Sequence, residues 1–208
     1  MKHEWKKQEK SIYLPKAEPE VIDVPGFSFY VIEGKGNPND EEFATAIGLL
    51  YALSYGVKML PKKGIIPDGY FDYSIYPLEG IWDLSDEAKK TNTFNKDELV
   101  YQIMIRQPDF VTQDLAAEII NQVKKKKQHP LLDKVRFEII EDGLSVQILH
   151  KGSYDDEPAS FGKMAEFCKE KGLVRAQLTH REIYITDARK TDKEKLKTVL
   201  RYSVKAGK

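Results

Sequence analysis

The chain has 208 residues, 41% of them hydrophobic, which is enough to bury a sizeable core as one domain or as two small halves sharing a core. Lysine plus arginine and aspartate plus glutamate number 33 each, so the formal net charge is zero and no long-range field draws the molecule onto nucleic acid or an anionic membrane. Cys168 is the single cysteine, which excludes an intrachain disulfide, and no signal core or long apolar span occurs, so a soluble cytoplasmic protein is expected.

Residues 1–19 are charged and broken by Pro15 and Pro19, and read as an arm or short strand. The domain proper is expected over 20–208, as a first repeat at about 20–108, a connecting helix at about 109–128 and a second repeat at about 134–208. Phe27 to Ile32 has the period of two of a strand. A helix follows from Asp40, Glu41 and Glu42 to about Tyr55, with carboxylates at its positive end, Gly56 to stop it, and a buried stripe of Phe43, Ile47, Leu50 and Ser54. Gly34-Lys35-Gly36 before it reads as a turn, since the rest of a phosphate loop is missing. Tyr70 to Leu84 and Leu99 to Arg106 are strand candidates, joined by the polar stretch Asp86–Asp97 as a hairpin connection. Thr112 is placed to cap the connecting helix, and Lys124 to Lys127 form its solvated negative end.

The second half opens with strands at Val135 to Ile140 and Leu144 to His150. A helix at about Pro158 to Lys171 carries Cys168 as a small buried residue, and strands Arg181 to Thr186 and Leu196 to Val204 close the chain. Gly26 to Ile32 reads against Gly143 to Leu149, and each run leads to a turn, an acidic helix start and a strand bearing a carboxylate. Matched in that frame, Phe27, Phe29 and Val31 pair with Leu144, Val146 and Ile148 beneath their helices. Ser28, Tyr30 and Ile32 pair with Ser145, Gln147 and Leu149 on the opposite face, and Glu79 pairs with Glu182. The fold class is therefore α+β, a pseudo-two-fold pair of βαββ units with a ligand cleft between the halves.

Glu182 lies in the apolar run Ile183-Tyr184-Ile185, so its carboxylate either faces solvent on a pleated strand or sits in a pocket where burial raises its proton affinity. Tyr30, Trp82, Tyr101, Tyr154 and Tyr184 are the aromatics expected around that groove, with ordinary core packing as the alternative for several of them. Gln147 and Glu79 complete the ligand-binding set. His3, His129, His150 and His180 show no metal-ligand spacing, so neither a metal nor any other cofactor is expected.

The run from His180-Arg181-Glu182-Ile183-Tyr184-Ile185 through Tyr202 resembles the closing motif of GyrI-like small-molecule-binding proteins. Ile22-Asp23-Val24-Pro25-Gly26 through Asn39 is similar to the opening of the stand-alone branch of that family, and the likeness covers nearly the whole chain. It implies a pair of βαββ units around a ligand cleft, with Glu182 at the position of the family's cleft glutamate. The family includes drug-sensing halves of transcription regulators, a gyrase inhibitor and stand-alone hydrolases of cyclopropane-bearing genotoxins. With no DNA-binding segment ahead of residue 20, the chain resembles the hydrolase branch. The resemblance implies a detoxifying hydrolase whose partner is a flat hydrophobic ligand. Glu182 would activate water, Tyr184 or Tyr101 would donate toward the ligand oxygen, and Trp82 would stack; Glu79 is a second candidate acid. The rival is a non-catalytic module that sequesters or senses drugs, for which no protein partner is identifiable.

Overall fold

The computed structural model describes residues 2–91 and 95–207. In chain order it forms two short helices, α1 (Trp5–Gln8) and α2 (Lys10–Tyr13), then strands β1 (Glu20–Val24) and β2 (Phe27–Lys35), helix α3 (Glu41–Lys58), β3 (Leu78–Leu84), α4 (Asp86–Thr91) and β4 (Leu99–Arg106). Helix α5 (Gln113–Lys127) leads to β5 (Arg136–Ile140), β6 (Gly143–Lys151), α6 (Glu157–Glu170), β7 (Leu173–Arg175), β8 (His180–Tyr184) and β9 (Lys197–Ala206). This is the expected α+β class. All named strand pairs within each unit are antiparallel.

The chain divides into two units, Met1–Glu4 with Phe27–Ile140, and Trp5–Gly26 with Glu141–Lys208. In the first, the strands lie in the order β3-β4-β2-β5, with α3 joining β2 to β3. In the second, the order is β8-β9-β6-β1, with α6 after β6 and β7 paired to the end of β9. The shared connectivity is β-α-β-β, each sheet completed by a strand from elsewhere in the sequence. β1 pairs β6, far along the chain, and β5 pairs β2.

Several boundaries differ from those read in the sequence, for local reasons. Helix α3 runs through Gly56 to Lys58, and a Cβ at Gly56 would lie 2.8 Å from Ile119 Cγ2 of α5. The glycine permits close helix packing there and does not end the helix. Strand β3 starts only at Leu78, after Pro77, while Tyr70, Phe71, Tyr73 and Phe110 pack their rings together at centroid separations of 5.2–6.2 Å. The connection between β3 and β4 contains α4, and residues 92–94 of it lie outside the described residues. Thr112 caps α5 as expected, its hydroxyl accepting from the Leu115 N–H at 3.2 Å.

The second unit's sheet has two contrasting faces. Val146, Ile148, Leu200 and Tyr202 pack against Met164 and Cys168 of α6. On the other face the Asp142 carboxylate accepts from Arg181 Nη2 at 2.7 Å and Arg201 Nη1 at 3.2 Å. Arg201, only 2% exposed, also donates to Gln147 Oε1 at 2.8 Å and to the Ile12 carbonyl at 2.8 Å. Gln147 in turn donates to the Ser11 carbonyl and to Glu20. Burial raises the proton affinity of Asp142, but the two guanidiniums overcome this and hold its pKa below the usual carboxylate range. A folded-state pKa lowered in this way contributes stability that is present above the unfolded value and is lost as pH falls through the folded one. Asp142→Asn removes the carboxylate that both buried guanidiniums share and is expected to cost about 3–5 kcal/mol in urea unfolding at neutral pH. A loss within measurement error would show that this network does not hold the second unit together.

Candidate functional site

Pairing register decides which side chains share a face. In the second unit Glu182 lies opposite Leu200, and Leu200 opposite Ile148, so Glu182 is on the face that carries α6. Tyr184, Thr198 and His150 form the next row on that face. Arg181 and Ile183 point the other way.

Glu182 is thus placed in a defined setting, its side chain 12% exposed. His180 Nε2 stands 3.0 Å from Glu182 Oε1, and the His180 ring meets the edge of Phe161 of α6 at 4.9 Å. Tyr184 and Tyr154 make an edge-to-face pair with centroids 6.1 Å apart. Tyr154 opens the turn that leads into α6. The beginning of that helix is fastened to β6 by His150, whose Nδ1 lies 2.9 Å from the Ser160 hydroxyl and whose Nε2 donates to the Ser153 carbonyl at 2.9 Å.

The sequence reading missed Glu157. It occupies the first turn of α6, an acidic helix start by composition, yet it is 7% exposed and its Oε1 has no hydrogen-bond partner. Desolvation, with the Glu182 carboxylate and then Asp155 adding to it, raises the Glu157 pKa to about 9. Burial also lifts the Tyr154 hydroxyl to about 12, with help from Glu182, Glu157 and Asp187. The face therefore brings together the Glu157 carboxyl, the Tyr154 and Tyr184 rings and the Glu182–His180 pair.

The other anticipated residues fall differently. Tyr30 is in the core, its hydroxyl donating to the Ala116 carbonyl of α5 at 3.3 Å, and its face is the helix side of β2. Phe29 and Val31 pack on the opposite side with Met104, Phe27 and Ile81, so the facing expected for the first copy is reversed. Trp82 and Tyr101 are cross-strand neighbours with rings 5.4 Å apart, and both meet Phe43 of α3. Tyr101 lies over Gly34, where a Cβ would come within 2.5 Å of its ring. Gln147 is fully engaged on the Arg201 side of its sheet, away from Glu182.

The matching of Glu79 with Glu182 is also corrected. The Gly36 N–H donates to the Leu99 carbonyl and the Gly152 N–H to the Leu196 carbonyl, at 2.8 and 3.0 Å, which identifies equivalent turns. Counting from those turns along the paired strands, Ile32, Ile103 and Gly80 correspond to Ile148, Leu200 and Glu182. Glu79 corresponds to Arg181, and Trp82 to Tyr184. Glu79 is 2% exposed on the sheet face that Val31 and Met104 share. The first unit thus has glycine where the second has its acid. Among the described residues no group of three or more potential ligands could hold a metal, and no helix is long and apolar enough to cross a membrane.

Residues 17–205 match the model of the GyrI-like small molecule binding domain family. A hydrolase from Listeria innocua is similar at 35% identity with a TM-score of 0.87, over 98% of this chain and 100% of its own. A further structure of a hydrolase from that organism gives 36% identity and a TM-score of 0.89, over 99% of this chain and 100% of its own. The EcmrR C-terminal domain shares the fold, at 14% identity and a TM-score of 0.52, over 91% of this chain and 98% of that one. No curated protein matches the chain at a significant level.

An acid whose folded pKa is raised contributes stability that is complete below its unfolded value and is lost as pH rises toward the folded one. Between the ordinary value of 4.5 and neutral pH, keeping Glu157 protonated works against folding by about 3 kcal/mol. Glu157→Gln, which copies the neutral acid, is expected to raise the melting temperature at pH 8 and change it little at pH 5. Identical pH dependence in the two proteins would mean that Glu157 is ionised when folded.

Proposed function

The chain belongs to the GyrI-like small molecule binding domain family, and from that premise we propose that it hydrolyses a flat, hydrophobic, cyclopropane-bearing electrophile, a detoxifying reaction. The observation that carries the reading is the largely buried Glu182 carboxylate on the α6 face, set among Tyr184, Tyr154 and His180. It occurs in a chain 35–36% identical over almost all of its length to proteins described as hydrolases.

The chemistry asks for a base and a hydrogen-bond donor. In a cyclopropane conjugated to a dienone, water attacks the ring methylene and a C–O bond forms as a ring C–C bond breaks. The released electron pair makes the neighbouring ring aromatic and puts negative charge on the former carbonyl oxygen. Glu182 orients the water and takes its proton, with His180 Nε2 fixing the carboxylate. Tyr184 donates toward the developing oxyanion. Tyr154 packs edge-on against that ring and fixes its position. Binding without turnover is the second reading, favoured by the family's definition as a small-molecule-binding domain.

Glu182→Gln keeps the shape of the side chain and removes the base. Turnover of a cyclopropane genotoxin is expected to drop ~10²–10⁴-fold, with ligand affinity nearly unchanged. Unaltered hydrolysis in this variant would take Glu182 out of the reaction.

A further inference from the structure

Water addition to a dienone-conjugated cyclopropane takes one proton from the water and gives one to the oxygen that becomes a phenol. Glu182 accounts for the first transfer, and a tyrosine hydrogen bond alone does not supply the second proton. The α6 face contains a second carboxyl without an assigned task. Glu157 is buried in the first turn of α6, with Oε1 lacking any partner, on the helix whose start carries Tyr154 and His150's two contacts. A buried polar atom left unpaired costs stability, so its retention calls for an explanation. The helix dipole at this position favours an ionised carboxylate, worth roughly 0.3–1 kcal/mol, which is small beside the cost of burying the charge.

We propose that Glu157 is the general acid of this site, holding its proton, and that Glu182 is the base. The inference rests on the hydrolase reading for its substrate, but the protonation of Glu157 does not. In the cycle, Glu182 accepts the water proton as the C–O bond forms and the C–C bond breaks. The Glu157 hydroxyl gives its proton to the former carbonyl oxygen. Glu182 is then protonated and Glu157 ionised, and transfer of the proton from one to the other restores the starting state. No outside oxidant or co-reactant is needed.

The titratable groups around Glu157 come from each neighbouring element. They are Tyr154 and Asp155 before α6, His150 on β6, His180, Glu182 and Tyr184 on β8, and Asp187 beyond it. The acids Glu182 and Asp155 favour the neutral form of Glu157. His150 is occupied at both ring nitrogens.

Infrared spectroscopy of the ligand-free protein reads the proton directly. A protonated carboxyl stretch is expected at neutral pH, lost on alkalisation with a midpoint of about 9, and absent from Glu157→Gln. No such band at neutral pH, or a band that survives in the variant, overturns the proposal. Glu182→Gln is a second variant that keeps Glu157 in place. It should lower the midpoint without returning it to the ordinary range, because burial is the larger cause, whereas an unmoved midpoint denies the pairing. With a cyclopropane genotoxin, Glu157→Gln is expected to turn over ~10²–10⁴-fold more slowly, and its residual rate should lack the wild-type fall near pH 9. A slowed variant that keeps that fall overturns the acid role. A wild-type protein that shows the band and no turnover overturns the hydrolase reading and leaves the protonated Glu157 standing.

Discussion

Glu157 is buried at the start of α6 while its chain neighbours face solvent, and that burial organises the ionisable groups of the second unit. A carboxylate leaves water only at a large free-energy cost, so a buried acid next to a second acid keeps its proton. Glu157 is the more deeply placed member, and Glu182, with the His180 nitrogen at 3.0 Å, is the one with a donor to support a negative charge. In the proposed mechanism these two environments separate the carboxyls into an acid and a base.

The supporting structure keeps that face in position from behind. Asp142, Arg181 and Arg201 form a buried ionic group on the reverse side of the same sheet, and Arg181 is the residue immediately before Glu182. Alternation along β8 therefore places a structural charge and a chemical one on opposite faces. Arg201 and Gln147 also bind the backbone carbonyls of Ile12 and Ser11, so the N-terminal segment is part of the second unit's framework.

Element types were largely legible because the signals are local. Thr112 at a cap, the acidic start of α3 and the alternation in β6 and β9 each point to one conformation. Facing was not legible in the first unit, since Phe27, Phe29 and Val31 are as apolar as Tyr30 and Ile32, and a strand buried on both sides gives no parity signal. The frame of the repeat was read one residue out for the same reason. The turn glycines Gly36 and Gly152, both with positive φ, mark the true frame and were available in the sequence. Glu157 was hidden more deeply. In Asp155-Asp156-Glu157-Pro158 it reads as one of several solvated helix-start acids, and only tertiary packing selects it for burial. The asymmetry between the units follows from the corrected frame. Gly80 stands where Glu182 does, and Trp82 and Tyr101 fill the face above Gly34, so the first unit offers rings and the second offers ionisable groups.

Water activation at the Glu182 face is read by incubating a cyclopropane genotoxin with the protein in oxygen-18 water. Mass spectrometry should find ring-opened product carrying the heavy oxygen, in amounts many times the protein present. Recovery of unchanged compound, bound at no more than one equivalent, would contradict turnover and leave a binding protein.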